Sequence, residues 1–339
     1  MTATTLKRLF FRLRPEDWVL LAFVTLFAIF LAIFRGSLYL YHSSVRSPMY
    51  VLGFMVVLNL VVRAPGLFGA SKTTLLQMAR STGAMLRDWL PFILCFLVYE
   101  NFHDMTNLIH GPETVDRWLA QIDQWIFGVQ PTLWLQAHTH PLLTDYMSFA
   151  YSLYIAIPAT LAGILYVKGR IADFREVMLG LLLAFYIGFA GYILVPAVGP
   201  RAILDIRFEN PMYLNGITFY RSFSAMWNDL QSFQRDCFPS LHIGISSVIL
   251  FFSYKFADLF RVRRILFWVM LPFVVSLWVA TIYLRYHWVI DVIAGWSLAA
   301  FCFWFAPKIE AYWGRQRRSV GIPLATDRGA TAAGAFSTR

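Results

Sequence analysis

Residues 177–195 have the sequence VMLGLLLAFYIGFAGYILV, which contains no charged side chain. A helix rises about 1.5 Å per residue, so this stretch is long enough to cross a hydrocarbon core about 30 Å thick. The whole chain has the same character, since 58% of its 339 residues are hydrophobic and only 14% are charged. Soluble domains carry about 25% charged residues. The sequence therefore predicts an all-α, polytopic helical bundle in a membrane.

Further apolar segments lie on both sides of this stretch. We expect about eight transmembrane helices, although the second and third segments are short enough to be re-entrant instead. The eight are 18–34, 49–62, 89–99, 142–167, 177–195, 239–257, 265–284 and 288–306. The chain then divides into N-terminal helices with an outer interfacial helix (1–141), a helical core (142–307) and a disordered cytoplasmic tail (308–339).

The positive charges indicate which loops lie inside. If the N-terminus is cytoplasmic, eight crossings place every lysine and most arginines on the cytoplasmic side, with both termini there. The net charge of +10 then reflects topology and contact with anionic lipids. We expect the lipid bilayer, and not nucleic acid, as the partner of these charges.

All seven histidines fall on or near the outer face in this topology. His138 and His140 could ligate a metal, but the pair lacks a third ligand at a suitable spacing. The three cysteines are an odd number, and the first and last lie in apolar runs, so they predict neither a disulfide framework nor a zinc site. The sequence thus predicts no metal and no cofactor.

His287 and Asp291 are four residues apart at the start of the last segment, so on a helix they share one face. A carboxylate at that depth is costly unless it is paired, and His287 is the nearest partner. The pairing would fix the tautomer of His287 and make its other ring nitrogen a better nucleophile or base. A buried polar pair that only holds helices together is an equally good interpretation.

Two more elements face the same side. Pro239-Ser240-Leu241-His242 begins a segment, where free backbone N–H groups and the helix dipole favour an anion, although Ser240 could serve as a plain cap. Arg201 follows the end of segment 177–195, and its planar fork suits phosphoryl oxygens or lipid head groups. Together these residues form a set suited to phosphoryl transfer without metal.

At these residues the chain resembles the type 2 phosphatidic acid phosphatase and haloperoxidase superfamily over roughly residues 142–307. That superfamily carries the motifs Lys-x6-Arg-Pro, Pro-Ser-Gly-His and Ser-Arg-x5-His-x3-Asp. Their counterparts here are Gly199-Pro200-Arg201, the stretch from Pro239 to His242, and the stretch from His287 to Asp291. Pro-Ser-Leu-His is similar to the branch that contains inositol phosphorylceramide synthase.

The resemblance implies a six-helix phosphatase-type core and a role for each site residue. His287 would attack phosphorus, Asp291 would orient it and His242 would protonate the leaving oxygen. Arg201, Ser240 and Arg285 would bind the phosphate of a membrane lipid, whether phospholipid, sphingolipid or polyprenyl phosphate. The acceptor would be water or a lipid alcohol.

Leu241 stands where the motif has glycine, and three other positions also depart from the motifs. Leu194 stands where the family has lysine, Ala202 where it has proline, and Thr281 where it has arginine. Arg285 is our candidate substitute for the missing arginine. These departures leave open a non-catalytic lipid-binding protein. A transporter is the other alternative, but it predicts charges near the bilayer midplane and an internal repeat, and the sequence has neither.

Two segments surround the predicted site. Residues 112–128 form an amphipathic pattern, which predicts an interfacial helix that anchors the chain or shapes lipid access. The loop 196–238 is long and rich in aromatic residues, which favours an ordered cap against the bilayer.

Overall fold

The computed structural model describes residues 3–34, 72–100, 113–204, 214–222, 224 and 235–323. Within that part of the chain the regular secondary structure is helical, without strands, as the sequence predicts. The predicted segment 49–62 and much of the loop 196–238 lie outside the described residues. The helices are α1 (Ala3–Arg12), α2 (Pro15–Phe34), α3 (Lys72–Glu100), α4 (Asp116–Phe127), α5 (Pro131–Gln136), α6 (Pro141–Ser152), α7 (Ala156–Val167), α8 (Ile171–Leu194), α9 (Pro200–Leu204), α10 (Leu241–Lys255), α11 (Ile265–Tyr283) and α12 (Val289–Ser319).

Three of these helices, α8, α11 and α12, are long and apolar enough to cross a membrane. The pair α6 and α7 passes the same test together, although it bends by 43° at the break between the two helices. Among the described residues this gives three or four spans by length and composition. The helix α10 is also apolar but shorter.

The chain folds into two compact units, residues 1–102 with 313–339 and residues 103–312. In the first unit, two ion pairs join α3 to the start of α2 and to the residue before it. Arg87 pairs with Asp17 (2.5 Å) and Asp88 pairs with Arg14 (2.6 Å). The indole of Trp313 donates to the carbonyl of Leu13 at 3.0 Å. These contacts tie the end of α12 to the N-terminal helices of that unit.

The second unit is built around α10. This helix packs against α7, α8 and α11, and most of its apolar residues are buried. Aromatic contacts of Phe251 and Phe252 with Phe303 add α12 to its neighbours. A mostly buried apolar surface is what a central helix needs. The start of α10 therefore lies where several helices converge.

Glycine allows this convergence. A Cβ at Gly188 of α8 would lie 2.5 Å from Leu241 Cδ2, and one at Gly295 of α12 would lie 2.6 Å from the carbonyl oxygen of Ser240. Real Cβ atoms do not approach other atoms so closely. Leu241, which replaces the motif glycine, is thus accommodated because α8 has a glycine opposite it.

Candidate active site

The structure brings together the two histidines that the sequence singled out. His242 lies in the first turn of α10, and His287 lies two residues before α12 begins. Nε2 of His287 is 3.3 Å from Nδ1 of His242, within hydrogen-bonding distance. The side chain of His287 is buried, and a neutral imidazole in this position presents one ring nitrogen to the other histidine.

The second ring nitrogen of His287 faces acceptor groups. Its Nδ1 lies 3.5 Å from Oδ2 of Asp291 and 3.0 Å from the carbonyl oxygen of Cys237. An Nδ1–H pointing at these oxygens leaves the lone pair on Nε2. His287 is not on the helix, so the predicted i, i+4 stacking does not bring the pair together. The carboxylate reaches back over the helix start instead, where its Oδ2 accepts from the backbone N–H of Trp288 at 2.8 Å.

Ser240 joins the two helix starts. Its hydroxyl accepts from the N–H of Ile243 at 3.4 Å, so it caps α10, and it is fully buried. Its own N–H donates to the carbonyl oxygen of Asp291 at 3.1 Å. The capping role that the sequence left open is therefore present. The backbone of Ser240 also fixes the start of α10 against the first turn of α12.

Arg201 lies beside the segment that carries His287. Its backbone N–H donates to the carbonyl oxygen of Arg285 at 2.9 Å. Its guanidinium donates through Nη1 to the hydroxyl oxygen of Tyr286 at 3.2 Å. Arg285 itself has a positive φ of 65° and a buried side chain. Such a backbone conformation costs a non-glycine residue on the order of 1–3 kcal/mol, and strained residues of this kind cluster at functional sites.

Stacked aromatic rings link Arg201 to the histidines. Tyr151 stacks on Tyr286 at 4.7 Å between ring centroids and on His242 at 4.4 Å. Tyr154 contacts His242 at 4.2 Å. The imidazole of His242 is thus held between two tyrosines. This packing fixes the plane of the ring and leaves its Nδ1 directed at His287.

A family model described as the PAP2 superfamily matches residues 117–305, more than half of the chain. The chain belongs to the PAP2 superfamily. This membership supports a phosphoric ester hydrolase type of activity. Neither a curated protein nor a solved structure gives a significant match. The matched residues include every site residue named above, and they also include most of α4, which the resemblance in sequence did not cover.

The surroundings of two residues that depart from the PAP2 motifs differ from each other. Leu194, at the lysine position, is 67% exposed at the end of α8. Thr281, at the arginine position, is buried, and its carbonyl oxygen accepts from the N–H groups of Tyr286 and His287 at 3.0 and 3.2 Å. Thr281 thus supports the segment before α12 through its backbone.

Two aspartates of α4 position the backbone next to the site residues, and neither was predicted from the sequence. The pattern of 112–128 placed them on the polar face of an interfacial helix. The structure confirms a helix whose apolar side is open, with Trp118 and Trp125 70% and 86% exposed. Asp116 and Asp123 are nevertheless fully buried, whereas the other polar residues of the helix are exposed, namely Arg117, Gln121 and Gln124. Their spacing of seven residues, which places them on one face, was the available signal.

Each aspartate binds backbone N–H groups next to a site residue. Oδ1 of Asp116 accepts from Gly199 at 2.8 Å and from the indole of Trp288 at 2.9 Å, and its Oδ2 accepts from Val198 at 3.0 Å. Asp123 accepts from Val289 and Ile290 at 2.7 and 2.9 Å. Asp123 therefore caps α12, because it binds N–H groups of the first turn that have no partner within the helix. Burial raises the pKa of the Asp123 carboxyl from 3.8 to about 6.

Cys237 is the third residue of the site that was not predicted from the sequence. Its thiol donates to Oδ2 of Asp291 at 2.8 Å and lies 3.4 Å from Nδ1 of His287. Burial raises the pKa of this thiol well above 9.0, so it is a neutral donor at pH 7. The signal in the sequence was its position two residues before Pro239.

The histidine pair that the sequence offered as a metal alternative lies elsewhere. His138 Nδ1 is 3.2 Å from the carbonyl oxygen of Trp134, and the ring of His140 caps α6 by accepting from Leu142 at 3.3 Å. Both rings thus have local structural partners. In the described part of the chain, the group of three potential metal ligands consists of Cys237, His287 and Asp291.

Proposed function

We propose that this chain is an integral-membrane enzyme that releases or transfers the phosphate of a lipid phosphoester through a phosphohistidine at His287. The observation that carries the proposal is the pair of imidazoles, with Nε2 of His287 3.3 Å from Nδ1 of His242. The Nδ1 of His287 is backed at the same time by Asp291 and by a backbone carbonyl. A nucleophile oriented by a third group beside a proton donor is the arrangement that covalent catalysis requires.

In the first step, Nε2 of His287 attacks phosphorus while the bond to the lipid oxygen breaks. The positive charge that develops on the imidazole is stabilised by Asp291. His242 gives a proton to the departing oxygen. A loose phosphoryl transition state spreads negative charge over its equatorial oxygens, and we expect the guanidinium of Arg201 to bind them. His242 then takes a proton from the acceptor, water or a lipid alcohol, which attacks the phosphohistidine.

The two imidazoles lie too close together for a phosphoryl group to fit between them. Reacting atoms lie about 3–3.5 Å apart in a near-attack geometry, so a phosphoryl group does not fit between nitrogens separated by 3.3 Å. Binding must widen this gap. Tyr151 and Tyr154 hold His242 from both sides, so we expect His287 and the segment before α12 to move.

The substrate class follows from the membrane setting. A phosphate site at the end of apolar helices suits a phospholipid, sphingolipid or polyprenyl phosphate whose head group lies at the interface. We propose eight spans around a six-helix core, both termini in the cytoplasm and the site on the outer face. Transfer of a phospho-head group to a lipid alcohol, as in inositol phosphorylceramide synthesis, is the reaction that Pro239-Ser240-Leu241-His242 favours.

The test uses purified protein with a panel of lipid phosphates and diphosphates, and with phosphatidylinositol plus ceramide. The assays contain chelator, and product release is compared for wild type, His287→Ala and His242→Ala. We expect both variants to lose at least about a thousandfold in turnover. Full turnover in either variant would show that the assignment is wrong. Activity that chelator abolishes and zinc restores would favour a metal mechanism instead.

An aryl phosphate separates the two histidines. Its leaving group is acidic enough to depart without a proton, so His242→Ala should still release the phenol in the first turnover, although the second step needs His242. His287→Ala should not, because the nucleophile is absent. Equal loss of this first-turnover release in both variants would contradict the assigned roles. Cysteine labelling of residues 196–238 from each side of the membrane tests the orientation separately.

A further inference from the structure

The cluster of Cys237, His287 and Asp291 has the geometry of a metal tripod. Sγ of Cys237 is 2.8 Å from Oδ2 of Asp291 and 3.4 Å from Nδ1 of His287, and Nδ1 is 3.5 Å from Oδ2. In a tetrahedral zinc site with bonds of about 2.0–2.3 Å, neighbouring ligand atoms are about 3.3–3.6 Å apart. Two of the three distances already fall in this range, and the third needs an opening of less than about 1 Å.

A further observation points to a ligand at this place. Asp291 is fully buried, and its Oδ1 has no hydrogen-bond partner among the residues that the structure describes. A buried, unpaired carboxylate oxygen costs on the order of 1–3 kcal/mol. A cation that the carboxylate binds through both of its oxygens would satisfy Oδ1 as well as Oδ2. Thiolate, imidazole and carboxylate together form a donor set that zinc and other borderline-soft divalent metals prefer.

We propose that these three residues form an inhibitory site for a soft divalent metal such as Zn²⁺. On binding, the Sγ–H bond of Cys237 breaks, its proton leaves to solvent, and a metal–sulfur bond forms. Nδ1 of His287 binds the metal through its lone pair, so the proton of the neutral imidazole must reside on Nε2. No redox change is involved.

The metal would switch off the proposed reaction through this tautomer. With a proton on Nε2, His287 has no lone pair to attack phosphorus. The carboxylate of Asp291 is also engaged by the cation, so it no longer stabilises a positive imidazole. Because all three side chains are buried, the metal enters only after local opening, and inhibition should develop over time. The inhibition depends on the proposed function, but binding of the metal does not.

Cobalt provides a measurement that needs no activity. The purified full chain, free of chelator, is titrated with Co²⁺ and the near-ultraviolet absorbance is recorded, since a thiolate bound to cobalt gives a charge-transfer band. We expect the band in wild type and in the double variant Cys95→Ser/Cys302→Ser, which retains Cys237. We expect it to be lost in Cys237→Ser, in Cys237→Ala and in His287→Ala.

Zinc inhibition gives the second readout. Each variant is pre-incubated with Zn²⁺ and compared with its own rate in chelator, so a lower basal rate does not matter. Half-inhibition should need at least about tenfold more zinc in Cys237→Ser than in wild type, since one of three ligands is lost. A wild type without the cobalt band, or a Cys237→Ser as sensitive as wild type, would overturn the proposal. A cobalt band in a protein without phosphatase activity would uphold the metal site and reject the proposed function.

Discussion

Asp116 offers the sharpest test of how α4 supports the site. Its carboxylate accepts three hydrogen bonds, from Val198, Gly199 and Trp288, at 2.8–3.0 Å. Substitution with alanine leaves two backbone N–H groups and one indole N–H without partners in a buried place. Each unsatisfied donor costs about 1–3 kcal/mol, and removal of a buried charge offsets part of that sum. We expect Asp116→Ala to lower the free energy of unfolding by about 3–5 kcal/mol, and Asp116→Asn, which keeps one acceptor oxygen, by about 1–3 kcal/mol.

Activity should fall beyond the effect on stability. Gly199 lies two residues before Arg201, and Trp288 follows His287 directly, so both sides of the phosphate site lose an anchor. A displacement of about 1 Å costs roughly a hundredfold in rate, and we expect a decrease of this size in kcat for Asp116→Ala. Thermal unfolding in detergent and steady-state kinetics below the unfolding temperature measure the two effects separately.

The matched control is Asp258→Asn. Asp258 is a surface carboxylate paired with Arg170 at 2.9 Å, and its side chain is 76% exposed. An exposed pair contributes at most about 1 kcal/mol, so this variant should resemble wild type in both assays. If Asp116→Ala unfolds at the wild-type temperature with unchanged kcat, the idea that α4 positions the site is refuted.

Three further predictions concern close packing, charge and pH. Gly295→Ala should destabilise by about 1–3 kcal/mol in thermal unfolding, because its Cβ would meet the Ser240 carbonyl at 2.6 Å, whereas Gly163→Ala, with open space around its Cβ, should not destabilise. Equal stability of the two variants would contradict the packing at the start of α10. Arg201→Lys should raise KM for a lipid phosphate about tenfold through loss of the planar fork, and Arg201→Gln should raise it more; an unchanged KM in the glutamine variant would remove Arg201 from the site. The pKa of Asp123 is about 6 in the folded state and 3.8 for an ordinary aspartate, which represents the unfolded state. Between about pH 4 and pH 6, the folded state therefore keeps a proton that the unfolded state has lost. Stability due to this group therefore falls as pH rises through that window, and Asp123→Asn should lose this part of the slope in unfolding measured against pH.

The membrane class and most helices were predictable from the sequence, because the bilayer imposes long apolar helices with a strong signal. Segment 265–284 agrees with α11 to within one residue, and segment 177–195 agrees with the end of α8, which begins earlier, at Ile171. The break between α6 and α7 was not predicted. The segment 142–167 is apolar throughout, and a bend of 43° leaves no trace in hydropathy.

The site was predictable where its residues are local motifs. The sequence singled out His242, His287, Asp291 and Arg201. In the structure His287 lies 3.3 Å from His242 through one ring nitrogen and 3.5 Å from Asp291 through the other. The roles of these residues stay predictions. Asp116 and Cys237 were not predicted, because their partners Trp288 and Asp291 lie 172 and 54 residues away along the chain. Polar residues of an amphipathic helix usually face solvent, and only the tertiary contacts with the start of α12 show that Asp116 and Asp123 are buried.

The most direct test of the phosphohistidine proposal is to trap the intermediate. Purified protein is mixed with a lipid phosphate labelled at phosphorus and quenched in base within the first turnover, since phosphohistidine survives base and is lost in acid. We expect the label on the peptide that contains His287, and none in His287→Ala. A wild-type protein that turns over without label on that peptide, or that carries it on His242, would contradict the account.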